Sequence, residues 1–169
     1  MSKPRRILHR GAFTLVEVLM VVAIMGIAAA MVVPAMLQGS TMSLQAAARM
    51  IVSDMLYAQN DAIARQANRR VVFDTAHNSY ELTDASGTLL DPSEAAGRGS
   101  FLVDFSTDSR FSGVTLVSAA FGGQATLEFD PLGTPLVGGA VQISGGGHKY
   151  EIDVTDITGR VTICDLSGQ

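Results

Sequence analysis

The segment from Val18 to Leu37 contains 20 residues and no charged side chain. As an α-helix it would be about 30 Å long, which matches the hydrocarbon core of a bilayer. No second uncharged run in the 169 residues reaches this length. We therefore expect one membrane-spanning helix near the N-terminus, followed by a single water-soluble domain.

Charge is distributed unevenly around this segment. The four positive residues Lys3, Arg5, Arg6 and Arg10 precede it, and no acidic residue occurs before Glu17. By the positive-inside rule, such a chain keeps its N-terminus in the cytoplasm and moves its C-terminal domain across the membrane. Glu17 itself lies at the edge of the apolar run, where an unpaired carboxylate is costly.

The apolar run differs from an ordinary cleaved signal peptide. A signal peptide has an apolar region of about 7–15 residues, followed by a small-residue cleavage site. Here the run is longer, and the small residues Gly11 and Ala12 come before it. Cleavage at these residues would leave a permanent anchor. It would also change the formal charge from −4 to −8, which disfavours binding to nucleic acid.

The next segment, from Thr41 to Asn68, has neither Gly nor Pro. Small and aliphatic residues recur in it at steps of three and four, which predicts an amphipathic helix whose apolar stripe packs on a sheet. Pro34 and Gly39 lie between the two helical segments, and we expect them to bend or loosen the helix without ending it. The stripe consists of Leu44, Ala48, Ile51, Met55, Ala58 and Ala62.

After Arg70 the sequence changes to short alternating runs separated by turn residues, which is typical of an antiparallel sheet or sandwich. The predicted fold class is α+β: a long N-terminal helix, membrane-spanning in its first half and amphipathic in its second, packed on about eight short strands. The candidate strands are residues 71–73, 80–83, 101–105, 114–118, 126–129, 140–143, 150–154 and 161–164.

Residues typical of catalysis or metal binding do not occur in useful patterns. His9 lies in the basic leader, and His77 and His148 lie in predicted turns. The run "ISGGGHKY" lacks the spacing of a phosphate-binding loop and predicts a hairpin. Cys164, the only cysteine, lies in an apolar alternation and is expected to be a small core residue. We therefore expect no enzyme, no metal and no cofactor.

The sequence "GAFTLVEVLMVVAIMGIAAAMVVP" closely resembles the N-terminal segment of type IV prepilins and type II secretion pseudopilins. The resemblance implies cleavage between Ala12 and Phe13, followed by N-methylation of Phe13. It makes Glu17 the fifth mature residue and matches Pro34 to a proline that bends the helix in this family. Cleavage after Gly11 is the alternative, since it retains the glycine that usually precedes the cut.

In this family the glutamate of the N-terminal motif has an assembly role, which the resemblance extends to Glu17. Its carboxylate would pair with the cationic N-terminus of a neighbouring subunit. A paired charge is much less unfavourable in a low-dielectric environment than a lone one, so the pair would set the stagger between subunits. The alternative is an interfacial Glu17 that reaches the lipid headgroups.

Three later runs are similar to the GspH/FimT group of minor pseudopilins and minor pilins. They are "LQAAARMIVSDMLYAQNDAIARQANRRVVFD", "LEFDPLGTP" and "DITGRVTI". Some DNA-binding relatives carry an additional Arg at the position of Thr162. Its absence here, together with the acidic mature chain, argues against DNA capture.

The resemblance implies three domains: a cytoplasmic leader (residues 1–12), a transmembrane and filament-core helix (13–38), and a periplasmic pseudopilin domain (39–169). It implies a single-pass protein of the inner membrane that enters a filament. Its expected partners are other pilins or pseudopilins, a prepilin peptidase, the inner-membrane assembly platform and the lipid bilayer. The implied function is that of a minor pseudopilin of type II secretion. The alternatives are a minor pilin of a type IV pilus and, more distantly, an unrelated anchored binding module.

Overall fold

The computed structural model of this chain describes residues 14–91 and 99–168, without the side chains of residues 31–40. The chain divides into two compact units, Met1–Met36 and Leu37–Gln169. Helix α1, Leu15–Arg65, is 51 residues long and includes Pro34 and Gly39, so neither residue ends it. In the described part of the chain, no helix combines the length and the apolar character that a membrane crossing requires.

The C-terminal end of α1 is formed without glycine. Gln66 adopts a left-handed conformation with φ of 50°. The N–H of Ala67 donates to the carbonyl oxygen of Ala62, and the N–H of Gln66 donates to that of Ile63. This bond pair is the Schellman motif, in which a left-handed residue closes the last helical turn. The helix therefore ends three residues before the end of the segment predicted from the sequence.

Eight strands follow α1 and form two antiparallel sheets of four strands, which confirms the predicted α+β class. The first sheet has the order β3-β2-β1-β5 and the second the order β4-β6-β7-β8. A 3₁₀ turn, Ser109–Phe111, was not predicted. The strands are β1 Arg69–Asp74, β2 Ser79–Asp84, β3 Leu102–Asp104, β4 Thr115–Phe121, β5 Thr126–Phe129, β6 Gly139–Gly145, β7 His148–Val154 and β8 Val161–Asp165.

The amphipathic half of α1 packs on both sheets. All six residues of its predicted stripe are buried, with at most 1% of the surface of each exposed. Leu44 lies against Gly145 at the end of β6. The packing at Gly145 is tight, because a Cβ atom added to this residue would lie 3.1 Å from the carbonyl oxygen of Gly113. Further along the helix, the Gln59 side chain donates to the carbonyl oxygen of Gly133. One hydrophobic core therefore joins the helix to both sheets.

The run "ISGGGHKY" forms the tight β6–β7 hairpin that the sequence predicts. Gly146 and Gly147 occupy its turn with φ of 59° and 81°. Two consecutive positive φ angles are typical of the type I′ turn, which suits the twist of paired strands.

The prediction for Cys164 is wrong, because this residue is exposed. It lies on β8, an edge strand of the second sheet, which pairs with β7. Within β8, Val161 and Ile163 are on the face that continues the core, since they pair with the buried Val154 and Ile152. Cys164 alternates with them and lies on the opposite face.

Candidate functional site

The first turn of α1 carries the acidic residue that the sequence singles out. Thr14 precedes the helix, and its hydroxyl accepts a hydrogen bond from the backbone N–H of Glu17 at 3.2 Å. Its carbonyl oxygen accepts from the N–H of Val18. Thr14 is therefore the N-cap, and a glutamate three residues after it matches the T-x-x-E capping pattern. A negative charge at this position also interacts favourably with the helix dipole.

Glu17 has no protein partner for its carboxylate within residues 14–91 and 99–168 of the isolated chain. The cap positions its backbone and leaves the carboxylate exposed. The pattern Thr14-Leu15-Val16-Glu17 is visible in the sequence, whereas the expectation for Glu17 concerned its assembly role and did not include helix capping. The cap and the expected pairing are compatible, because the cap uses the backbone N–H of Glu17 and the pairing uses its carboxylate.

The surface of the following helical turns is apolar on all sides. Every residue from Thr14 to Ala30 is exposed in the single chain. The large apolar side chains between Leu15 and Ile27 have 51–77% of their surface accessible. A continuous exposed apolar surface of this kind marks a region that another molecule or a membrane covers. This is the candidate functional site of the chain, and we call it the apolar helix surface.

The remaining site predictions have different outcomes. Ala12 and Phe13, the expected cleavage and methylation residues, lie outside the described residues. Pro34 lies within α1, but its expected kink remains a prediction. Of the expected site residues, the structure therefore describes the side chain of Glu17 alone, at the start of the apolar helix surface.

Polar contacts join the end of α1 to the first sheet. The carboxylate of Asp61 accepts from Arg65 at 3.1 Å and from Arg69 at 2.5 Å. Arg69 is buried, so this ion pair is better shielded from water than most surface pairs. This ion pair is not predictable from the sequence, because it depends on the helix ending at Arg65 and the chain turning directly into β1.

A second cluster lies on the face of the first sheet that is turned away from α1. The Glu128 carboxylate accepts from Arg70 at 2.9 Å and from Asn68 at 2.8 Å. Burial raises the pKa of Glu128, but the hydrogen bonds from Arg70 and Asn68 outweigh it and hold the pKa below its ordinary value. The neighbouring strands β1 and β5 position the two charges opposite each other, since Arg70 pairs with Glu128 in the ladder.

Two further acids have well-defined structural contacts. Asp54 is fully buried on α1 and accepts a hydrogen bond from the Tyr80 hydroxyl at 2.6 Å. Asp74 accepts from His77 at 2.5 Å in the β1–β2 turn. The hydrogen bond to Asp74, with the charge of its carboxylate, raises the pKa of His77. Among the described residues, no group of three or more potential metal ligands lies close enough to hold an ion.

Comparison with known proteins agrees with this architecture. The family model described as Type II transport protein GspH matches residues 47–159, and the Prokaryotic N-terminal methylation motif matches residues 8–33. The second match contains Ala12, Phe13 and Glu17. The comparison with curated protein sequences gives no match.

Two solved structures share the fold. The minor pseudopilin EpsH from the Type 2 Secretion System of Vibrio cholerae superposes with a TM-score of 0.53 at 11% identity, over 74% of this chain and 98% of that one. The type IV minor pilin FimU of Pseudomonas aeruginosa also gives 0.53, at 18% identity, over 75% of this chain and 90% of that one. At these identities the likeness concerns the fold.

An N-terminal methylation motif, a helix with an exposed apolar first part, and an amphipathic continuation packed on antiparallel sheets together define a type IV pilin-like protein. Because the GspH model covers about two thirds of the residues, the chain belongs to the GspH family.

Proposed function

We propose that this protein is a minor pseudopilin, a structural subunit of the periplasmic filament of a type II secretion system that assists protein export across the outer membrane. The observation that carries the proposal is the apolar helix surface, exposed on all sides and headed by Glu17. Membership of the GspH family supports the same role. The proposed role is structural and involves no catalytic step.

The proposed pathway begins in the inner membrane. Residues 13–38 span the bilayer, the leader of residues 1–12 remains in the cytoplasm, and residues 39–169 lie in the periplasm. A prepilin peptidase cuts between Ala12 and Phe13 and frees the amine of Phe13, which is then methylated. The uncharged run Val18–Leu37 keeps the processed chain in the membrane until assembly, because its transfer into water would be strongly unfavourable.

Assembly then places apolar helix surfaces side by side, with the help of an inner-membrane platform. The Glu17 carboxylate of one subunit lies opposite the cationic N-terminus of its neighbour. The pair removes most of the penalty of a lone charge in a low-dielectric environment, and it is formed in one stagger only. The capped first turn supports this contact, because the Thr14 bond fixes the backbone from which the Glu17 side chain extends.

The second candidate function is that of a minor pilin in a type IV pilus. The N-terminal motif is common to both systems, and the fold of this chain is as similar to that of FimU as to that of EpsH. A deletion strain separates the two. In the native host, loss of a pseudopilin should leave exported proteins in the periplasm while surface pili are retained. Loss of piliation with normal secretion would contradict the secretion role and identify a minor pilin. Complementation with the full-length gene controls for effects on neighbouring genes.

A further inference from the structure

The outer face of the first sheet contains a cavity of about 450 Å³ that the proposed assembly does not use. Three neighbouring strands form its floor, because Val72 on β1 pairs with Glu81 on β2 and with Thr126 on β5. Two apolar residues of the β5–β6 connection, Leu136 and Val137, line one side. The volume lies within the range of about 300–1,000 Å³ that is typical of small-molecule sites in proteins. The cavity is formed entirely within the second compact unit.

Thr83 lines this cavity with a buried hydroxyl group that has no partner. Only 1% of the residue is exposed, and its Oγ1 forms no hydrogen bond within the described part of the chain. Because Leu82 belongs to the core, the alternation along β2 directs the Thr83 side chain to the outer face, where the cavity lies. A buried hydroxyl without a hydrogen bond is unfavourable and rare in folded proteins. A ligand in the cavity would supply the missing partner, either directly or through one bridging water.

The charges around the cavity exclude two classes of ligand. Arg70 and Glu128 both line it and neutralise each other in an ion pair. Glu81 also lines it, and within residues 14–91 and 99–168 its carboxylate has no hydrogen-bond or ion-pair partner. The lining therefore has one negative charge in excess, which disfavours an anion. A metal ion is disfavoured as well, because the described residues contain no group of three or more potential metal ligands.

The uncharged side chains of the lining favour a ligand that carries hydroxyl groups. Thr83, Thr126 and Gln124 line the cavity, and each of their side chains can both donate and accept hydrogen bonds. A hydroxyl group on a ligand has the same double capacity, and it can also donate to a free carboxylate. Val72 and Leu136 provide apolar surface beside these groups. A carbon ring that carries several hydroxyl groups matches both parts of this lining.

We propose that this cavity binds a neutral carbohydrate of one or two sugar units. The Glu81 carboxylate accepts hydrogen bonds from ligand hydroxyls, the Thr83 hydroxyl gains its partner, and the C–H groups of the ring contact Val72. This binding activity goes beyond the structural role in a filament and does not depend on it. Two sources share this chemistry, which are unmodified hexoses and the N-acetylated amino sugars of a glycan strand.

Saturation-transfer difference NMR on the full-length protein tests the proposal. The protein is held in dodecylphosphocholine micelles, because this detergent has no sugar headgroup, and micelles without protein give the background signal. The probes are maltose for the hexose source and N,N′-diacetylchitobiose for the N-acetylated source. We expect saturation transfer to at least one of them, and the preferred probe identifies the source. Absence of transfer to both probes would overturn the proposal.

Thr83→Val removes the unpartnered hydroxyl and nearly retains the shape of the side chain. It should raise the Kd of the sugar about five-fold, the factor expected for one lost hydrogen bond of ordinary net strength. In the absence of sugar, its thermal midpoint should equal or exceed that of the wild type, because an unsatisfied hydroxyl leaves the interior. Thr83→Ser retains the hydroxyl and should retain binding. Thr115→Val is the matched control, since Thr115 is an exposed threonine on β4 of the other sheet.

Glu81→Ala provides an independent variant of the same cavity. It removes an acceptor that forms charge-assisted hydrogen bonds, so the Kd should rise about ten-fold or more. An unchanged Kd in both Thr83→Val and Glu81→Ala would locate any bound sugar elsewhere and overturn the proposal. A lower thermal midpoint of Thr83→Val with an unchanged Kd would show that Thr83 is only structural, which would also overturn it.

Discussion

Ile51 lies in the middle of the buried stripe of α1 and is fully buried. Replacing it with Asp removes an aliphatic side chain whose burial contributes about 1.5–3 kcal/mol. The new carboxyl group also has no designed partner in the core, which costs about 1–3 kcal/mol more even if it is protonated. We therefore expect Ile51→Asp to lower the free energy of unfolding by about 2.5–6 kcal/mol, a large part of the roughly 5–15 kcal/mol typical of a domain.

Urea denaturation of a fragment beginning at Ser40, followed by circular dichroism, measures this effect. The fragment retains nearly all of the compact unit Leu37–Gln169. With a slope of about 1–3 kcal/mol per molar urea, the midpoint of the unfolding transition should fall by about 1 M or more.

Ser53→Asp is the matched control, because it introduces the same group two residues later at an exposed position of α1. Its stability should remain within about 0.5 kcal/mol of the wild type. If Ile51→Asp and Ser53→Asp unfolded at the same urea concentration, the stripe could not be the core face of the helix.

Three further predictions concern the leader, a turn and an ion pair. N-terminal sequencing of the protein from membranes should begin at Phe13; a chain beginning at Ala12 would refute the preferred register. Ile157→Gly should stabilise the domain by about 0.5–1 kcal/mol in thermal unfolding, because this exposed β-branched residue has φ of 69°. Glu128→Gln should be less stable than the wild type at pH 7, and the difference should shrink as the pH falls below about 4.5. The reason is that the pKa of Glu128 is lower in the folded state than in the unfolded state, so the ionised side chain stabilises the fold and protonation removes that stabilisation. A stability difference that did not change with pH would contradict this.

The elements that the sequence predicts are those with a strong local pattern. The stripe of α1 follows a helical period without interruption, and the eight strands alternate between recognisable turns. Several strands are one to three residues longer than the sequence predicts, because pairing with a neighbouring strand extends them. For example, β1 begins at Arg69. Arg69 and Arg70 carry charge and so did not resemble strand residues, yet the ladder places them opposite acidic partners.

The features that the sequence did not predict depend on contacts between residues that are distant in the chain or on the order of the strands. The exposure of Cys164 could not be inferred from the alternation of residues, because both faces of the edge strand β8 retain contact with solvent. The burial of Asp54 depends on a hydroxyl 26 residues away, on Tyr80. The end of α1 carries no glycine signal, since Gln66 takes the left-handed position. For the candidate site, the capping pattern at Thr14 can be read directly from the sequence.

The central claim is that this chain enters a filament through the apolar helix surface and the Glu17 charge. Its most direct measurement is the amount of full-length protein in filaments isolated from cells that express the wild type, Glu17→Ala or Glu17→Gln as the only copy. Leader cleavage and membrane insertion should be unchanged in both variants, because Val18–Leu37 and the cleavage site are intact. Incorporation should fall to background for both, since Gln retains the shape but removes the charge. Wild-type incorporation of both variants would contradict the pairing and support a Glu17 that only reaches the lipid headgroups.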